Sequence, residues 1–174
     1  MEYLFRLSYQ LDPADCDVDV LLERLFEAGC DDALVGVGLP GRMGLKFQRE
    51  APSAEVAMLS ALADVKAAMP GARLIEAAPD MVGLSDAAEF VGVSRQNMRK
   101  LMLAHSGDFP LPLHQGSTSV WHLDDIFQWL QQRGGYPLDP AVLEVARCAR
   151  RANLARARAG LAGSADDPFE KWVG

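Results

Sequence analysis

Apolar residues recur at every second position near the start of the chain, where Tyr3, Phe5, Leu7 and Tyr9 alternate with Leu4, Arg6, Ser8 and Gln10. A period of two puts one set on a single face, which predicts a half-buried strand over Tyr3 to Leu11. The period then lengthens. DVDVLLERLFEAG sets Val18, Leu21, Leu22, Leu25 and Phe26 on one side of a helix that Gly29 terminates. DALVGVGL and MGLKFQRE read as two strands joined through the turn residues Pro40 and Gly41, a hairpin. PSAEVAMLSALADVKAAMPG predicts a second helix with Ser53 as N-cap, Val56, Met58, Leu59, Leu62 and Val65 as its apolar positions, and a stop at Pro70-Gly71. ARLIEAA supplies a last strand. The order β-α-β-β-α-β over residues 1–80 is that of the split βαβ, ferredoxin-like folds. The chain is therefore expected to be of the α+β class.

GVGLPG, Gly36 to Gly41, formally matches the glycine fingerprint of dinucleotide-binding folds. That fingerprint needs a helix N-terminus after the glycines to receive a pyrophosphate, whereas here Pro40 intervenes and a strand pattern follows, so a hairpin turn is expected. APDMVG, residues 78–83, gathers Pro, Asp and Gly between two patterned regions and reads as a linker.

After it, LSDAAEFVGVSRQNMRKLML predicts two short helices. Ser85 caps the first, with Leu84, Ala87, Ala88 and Val91 inward; Gly92 permits a tight turn, and Ser94 caps the second, with Met98 and Leu101 inward. This leaves Ser94, Arg95, Gln96, Arg99 and Lys100 outward, with Asn97 near the edge. Arg pairs with guanine in two places, Asn or Gln with adenine, and Lys neutralises backbone phosphate, so a helix presenting these groups from its N-terminal half suits a major groove.

Residues 84–132 resemble the winged helix-turn-helix of the MerR superfamily, especially its excisionase and AlpA-like members. The matching stretches are LSDAAEFVGVSRQNMRKLM, then DFPLP, then LHQGSTSVWHLDDIFQWL. The resemblance implies that the second helix enters the major groove and that a hairpin wing over Leu113 to Trp121 touches backbone or minor groove. His114, Gln115, Ser117, Thr118 and Ser119 lie at its tip. It also implies a third helix capped by Asp124, with Trp121, Ile126, Phe127, Trp129 and Leu130 in the core, and a homodimer as the working form. Residues 1–80 match nothing in that family and are expected to sense or assemble, through a small-molecule effector or a protein partner.

Charge changes the picture only locally. The chain has a formal net charge of -7, but residues 1–80 hold 14 acids against 7 bases, and residues 136–160 hold 2 against 5. Binding depends on where charge lies and not on its average, so an acidic chain with a basic helix remains compatible with double-stranded DNA. LDPAVLEVARCARRANLARARAG opens with Asp139 as N-cap and Pro140 at the first helical position. Its thin stripe of Val142, Val145, Ala149, Ala152 and Leu154, and its arginines Arg147, Arg150, Arg151, Arg156 and Arg158, fit a dimerisation helix, a basic arm on phosphates, or a helix packed on its own chain with solvated arginines. The remainder, residues 161–174, reads as a flexible tail carrying Phe169 and Trp172.

Cys16, Cys30 and Cys148 are odd in number and scattered, which predicts reduced thiols and neither disulfide nor zinc site. His105, His114 and His122 lack companions at ligand spacing, and Asp31-Asp32 and Asp124-Asp125 are adjacent pairs pointing in different directions, poorly suited to acid/base work. Catalysis, metal and cofactor are not expected. Nor is a membrane span or a signal peptide, so a cytoplasmic location is expected. The function expected is a sequence-specific DNA-binding transcriptional regulator. The alternative is a protein-interaction module that docks through the winged helix and the aromatic tail.

Overall fold

The computed structural model describes residues 1–15 and 17–160. The first unit runs β1 (Glu2–Gln10), α1 (Val18–Glu27), β2 (Ala33–Val37), β3 (Arg42–Glu50), α2 (Ala54–Ala68), β4 (Arg73–Ala78). Its four strands form an antiparallel sheet in the order β2-β3-β1-β4. The alternation in β1 sets the faces: Tyr3, Phe5, Leu7 and Tyr9 are buried beside Met43, Leu45 and Phe47 of β3, and the Phe5 and Phe47 rings stack at 5.1 Å. Each such side chain taken out of water contributes roughly 1.5–3 kcal/mol. GVGLPG ends β2 with Gly36 and Val37 and supplies the β2–β3 connection with residues 38–41, with Arg42 N–H closing on the Leu39 carbonyl at 3.0 Å, so no helix follows the glycines.

Both helices bury a narrower face than their sequence periods predict. Leu21 and Leu25 are buried in α1, but Phe26 is 70% exposed. In α2 the buried set is Ala54, Ala57, Met58, Ala61, Val65 and Ala68, while Val56 and Leu59 face solvent. Alanines let the helix lie close to the sheet, and the bulkier residues are left outside.

The second unit is β5 (Met81–Val82), α3 (Leu84–Val91), α4 (Arg95–Ala104), β6 (Trp121–His122), α5 (Leu123–Arg133) and α6 (Pro140–Ala159). β5 and β6 pair antiparallel. The chain is thus mixed α+β, with two cores. Helix α6 belongs to both: Val145 and Ala149 are buried in the core of the first sheet, and Ala146 in the core formed by Met98, Phe109, Trp121, Ile126 and Phe127. Most of the apolar stripe of α6 therefore packs within the chain, Val145 and Ala149 fully and Val142 and Ala152 partly, while Leu154 is exposed. Three of its five arginines are paired, Arg150 with Asp125, Arg151 with Glu55 at 2.9 Å and Arg147 with Asp124 at 3.5 Å, while Arg156 and Arg158 are exposed. The Arg151 guanidinium draws the Glu55 carboxyl below its usual range. Glu144, on the first turns of the same helix, accepts from the Tyr3 hydroxyl at 3.1 Å; burial, reinforced by this carboxylate, raises the Tyr3 phenol.

Two polar clusters tie the elements together. Arg49, at the end of β3, donates to both oxygens of Asp32, to Asp64, to the Ser60 hydroxyl and to the Gly29 carbonyl, all at 2.7–2.9 Å. Every direction of the guanidinium fork is used, which makes burial of a charge tolerable, and hydrogen bonds to Asp32 are the first cause holding it protonated. The other cluster lies in the segment that reads as a linker. Asp80 is almost wholly buried, accepts from Asn153 Nδ2 at 2.7 Å and meets His122 Nδ1 at 2.6 Å. Residues 78–83 are thus a junction that carries β5 and the buried Asp80 and Val82.

Candidate nucleic-acid interface

The surface begins with the turn between α3 and α4. Gly92 adopts the left-handed conformation (φ 76, ψ 29) and ends α3 by donating to the carbonyls of Ala88 and Glu89. A side chain at that φ is strained, so glycine is the residue the turn requires. Val93 N–H then returns to the Ala88 carbonyl at 2.9 Å, and Ser94 caps α4 by accepting from Asn97 N–H at 3.1 Å. Ala87, Ala88, Val91 and Met98 are buried between the two helices and the Ile126–Phe127 side of α5. The expected cap of α3 differs: Ser85 lies inside the helix, Gly83 is the N-cap residue, and the Asp86 carboxylate reaches back to its N–H at 3.1 Å. The Asp86 carboxylate thus supplies the half of a capping box that satisfies the N-cap N–H, while Gly83 has no side chain to offer the first-turn N–H groups.

With Met98 inward, Ser94, Arg95, Gln96, Asn97, Arg99 and Lys100 are all exposed on α4. Asn97, expected near the edge of this set beside Met98, is exposed as well. Arg24, Arg49, Arg133, Arg147, Arg150 and Arg151 are all in ion pairs, whereas among the described residues Arg95, Arg99 and Lys100 are in none, a condition they share with Arg42, Lys46, Lys66, Arg73, Arg156 and Arg158 but combine with neighbouring positions on one short helix. Three uncompensated positive charges and two amides thus share one helix face.

The chain compared with known protein families, with characterised proteins and with solved structures yields no match.

The loop after α4 is fastened from below. Trp121 Nε1 donates to the Pro110 carbonyl at 3.1 Å, Trp129 Nε1 to Asp108 at 3.1 Å, and the Arg133 guanidinium lies 4.7 Å from the Trp129 ring centre. Phe109 meets both indoles edge-on, at 6.2 and 5.0 Å, a geometry in which ring quadrupoles attract. Residues 113–121 do not form two regular strands. They are closed by a single bridge, His114 opposite Val120, with Leu113 N–H to the Val120 carbonyl at 2.7 Å. The short polar run Gln115–Ser119 offers no alternating apolar face to sustain a longer ladder. His114, Gln115, Ser117 and Thr118 are exposed on this loop, and Ser119 is half-buried.

Asp124 does not cap α5. The cap position is His122, and Asp124 sits in the first turn with its carboxylate buried, accepting from Gln128 Nε2 at 2.9 Å and facing Arg147 and Arg150 of α6. His122 turns to Asp80. The other core assignments hold, with Trp121, Ile126, Phe127, Trp129 and Leu130 buried. Among the described residues no group of three or more His, Cys, Asp or Glu side chains converges as metal ligands would. Sequence reasoning missed the unpaired state of the α4 cations, which depends on where the acids of other elements lie; the expected tail, residues 161–174, falls outside the described residues.

Proposed function

We propose that the protein is a sequence-specific DNA-binding regulator in which α4 enters the major groove and the Leu113–Trp121 loop acts as a wing on the backbone. One observation carries this: Arg95, Arg99 and Lys100, exposed on one helix face, have no ion pair among the described residues. Unpaired guanidinium groups on a helix seated by Ser94 are free to bind base edges and phosphates without first breaking an internal contact. Arg95, Gln96 and Arg99 are assigned to bases. Ser94, Asn97, Lys100, His114, Gln115, Ser117 and Thr118 are assigned to positioning on the backbone. The bridge at His114–Val120 and the packing of α5 beneath support the winged-helix reading, and the antiparallel β2-β3-β1-β4 order supports a ferredoxin-like reading of residues 1–80. A homodimer is part of the proposal, through a surface other than the apolar stripe of α6, and a cytoplasmic, non-enzymatic role completes it.

A second reading has its own support. Leu111, just before the loop, is 88% exposed and Leu113, its first residue, 54%, which gives an apolar contact on which a protein would dock. Selection of fragments from the surrounding genome by the purified protein separates the two. Retention of one fragment by wild type and its loss in Arg95→Ala/Arg99→Ala supports the regulator, and no retention at low salt favours the protein-docking reading.

A further inference from the structure

The uncovered side of the four-stranded sheet carries a second group of unpaired cations. Helices α1, α2 and α6 pack on one face, and the other is an open groove of about 630 Å³. Along β3 its positions read Arg42, Gly44, Lys46; across the strands Gly44 pairs with Gly36 on one side and Ser8 on the other, and Lys46 pairs with Leu34 and Arg6. The two β3 cations stand at the ends of the groove, roughly 13 Å apart by the rise of an antiparallel strand. Glu76 faces the same groove and lies 4.0 Å from Arg6, partly neutralising that cation, but Arg42 and Lys46 have no ion pair among the described residues. Glu2 and Glu50 lie farther along the same face, outside the groove.

The middle of the groove is bare backbone. Gly36 and Gly44 have no positive φ, and a Cβ on either would meet only the other's carbonyl oxygen at 3.9 Å, an ordinary contact. Neither glycine is required by conformation or crowding, and glycine weakens a strand interior. What the pair provides is close access to the sheet between two positive ends.

We infer that this open sheet face is a docking site for a small free polyanion, a molecule carrying phosphate or carboxylate groups at both ends of an elongated body. Charge complementarity selects this occupant. A second copy of the face would bring Arg42 and Lys46 against their own kind. A single-stranded nucleic acid lacks stacking platforms here, because the aromatic residues of β1 and β3 (Tyr3, Phe5, Tyr9 and Phe47) all point into the core. Exposed Leu34 and Leu4 beside the Lys46 end give an apolar body something to lie against. The inference stands apart from the DNA-binding reading.

The test follows backbone amide signals of the full chain during titration with hexane-1,6-diyl bisphosphate and, separately, suberate, each an extended chain with an anionic group at both ends. Saturable movement of the Ser8, Gly36 and Gly44 amides is expected, with the dissociation constant raised at least about tenfold in Arg42→Ser/Lys46→Ser. Gly44→Ala, which adds a methyl to the floor without a clash, is expected to keep the fold and weaken binding. No saturable movement with either anion, movement confined to α4 amides, or undiminished binding in the double variant overturns the inference. So does movement of these amides by duplex DNA alone, or by raising protein concentration without anion, since either outcome would assign the face to a different occupant.

Discussion

Asn153 Nδ2 lies 2.7 Å from Asp80 Oδ2, joining the last third of α6 to the junction between the two units. The same side-chain amide both accepts from Ala77 N–H and donates to its carbonyl, each at 2.8 Å, so it completes β4 as a neighbouring strand would. Replacing it removes the partner of Asp80 Oδ2 and of the Ala77 N–H and carbonyl at once, while Asp80 Oδ1 keeps His122. Asn153→Ala is expected to destabilise by about 2–4 kcal/mol, at roughly 1–3 kcal/mol per buried group left unpaired. The denaturant midpoint checks this, and a loss below about 1 kcal/mol would mean that water replaces the amide.

Arg49 gathers Asp32, Asp64, Ser60 and the Gly29 carbonyl around one guanidinium. Arg49→Met leaves two carboxylates facing each other and is expected to cost about 3–5 kcal/mol. Arg49→Lys is expected to recover little, because an ammonium cannot bridge both Asp32 oxygens in the fork geometry. Equal stability of the Lys variant and wild type in urea unfolding would contradict the five-bond arrangement.

Cys30 is buried in the core of the first sheet, and burial, with Asp64 adding to it, pushes its thiol from 9.0 up to about 11. Because the folded state holds this proton more tightly than the unfolded chain, the contribution is fully present below the unfolded value and is lost as pH rises through about 11. Thermal midpoints are expected to fall between pH 9 and 11, less steeply in Cys30→Ala. Tyr3 and Tyr9, also raised by burial, supply the remaining slope. Mapping after iodoacetamide treatment at pH 8 should find Cys30 unmodified in the native protein; rapid labelling there would contradict the burial.

Gly92→Ala probes the turn that aims α4. No atom lies within 4 Å of the Cβ it would carry, so the cost is conformational alone, about 1–2 kcal/mol for a left-handed alanine. Gly92→Asn is expected to lose less. If both variants unfold like wild type, the α3–α4 corner is not held at the positive φ seen here.

The sheet was legible because β1 and β3 alternate strictly and bury large side chains, and the α3–α4 pair because Gly92 and Ser94 carry local rules that operate whatever surrounds them. The outward turn of Val56 and Leu59 was not, since a pattern reading ranks residues by size, while close approach to the sheet rewards Ala57 and Ala61. Arg49 was hidden for a related reason: its partners come from a loop and a helix far along the chain, and a lone arginine at a strand end reads as solvated. The Pro-Asp-Gly composition of residues 78–83 signalled a change of direction correctly but carried no sign that Asp80 would be buried. On the candidate interface, exposure of Arg95, Gln96 and Arg99 followed from helical spacing around Met98; their freedom from ion pairs depended on the whole fold.

The most direct measurement of the central claim is the affinity for a selected duplex across a salt series, in wild type and in Arg95→Ala/Arg99→Ala. Log affinity for wild type is expected to fall linearly with log salt, with a slope near -0.9 for each phosphate neutralised. The double variant is expected to lose about 2–6 kcal/mol, at roughly 1–3 kcal/mol per two-point guanine contact, together with its preference among sequences. A salt-independent affinity, or one unchanged by removing both arginines, would contradict the assignment of α4 to the major groove.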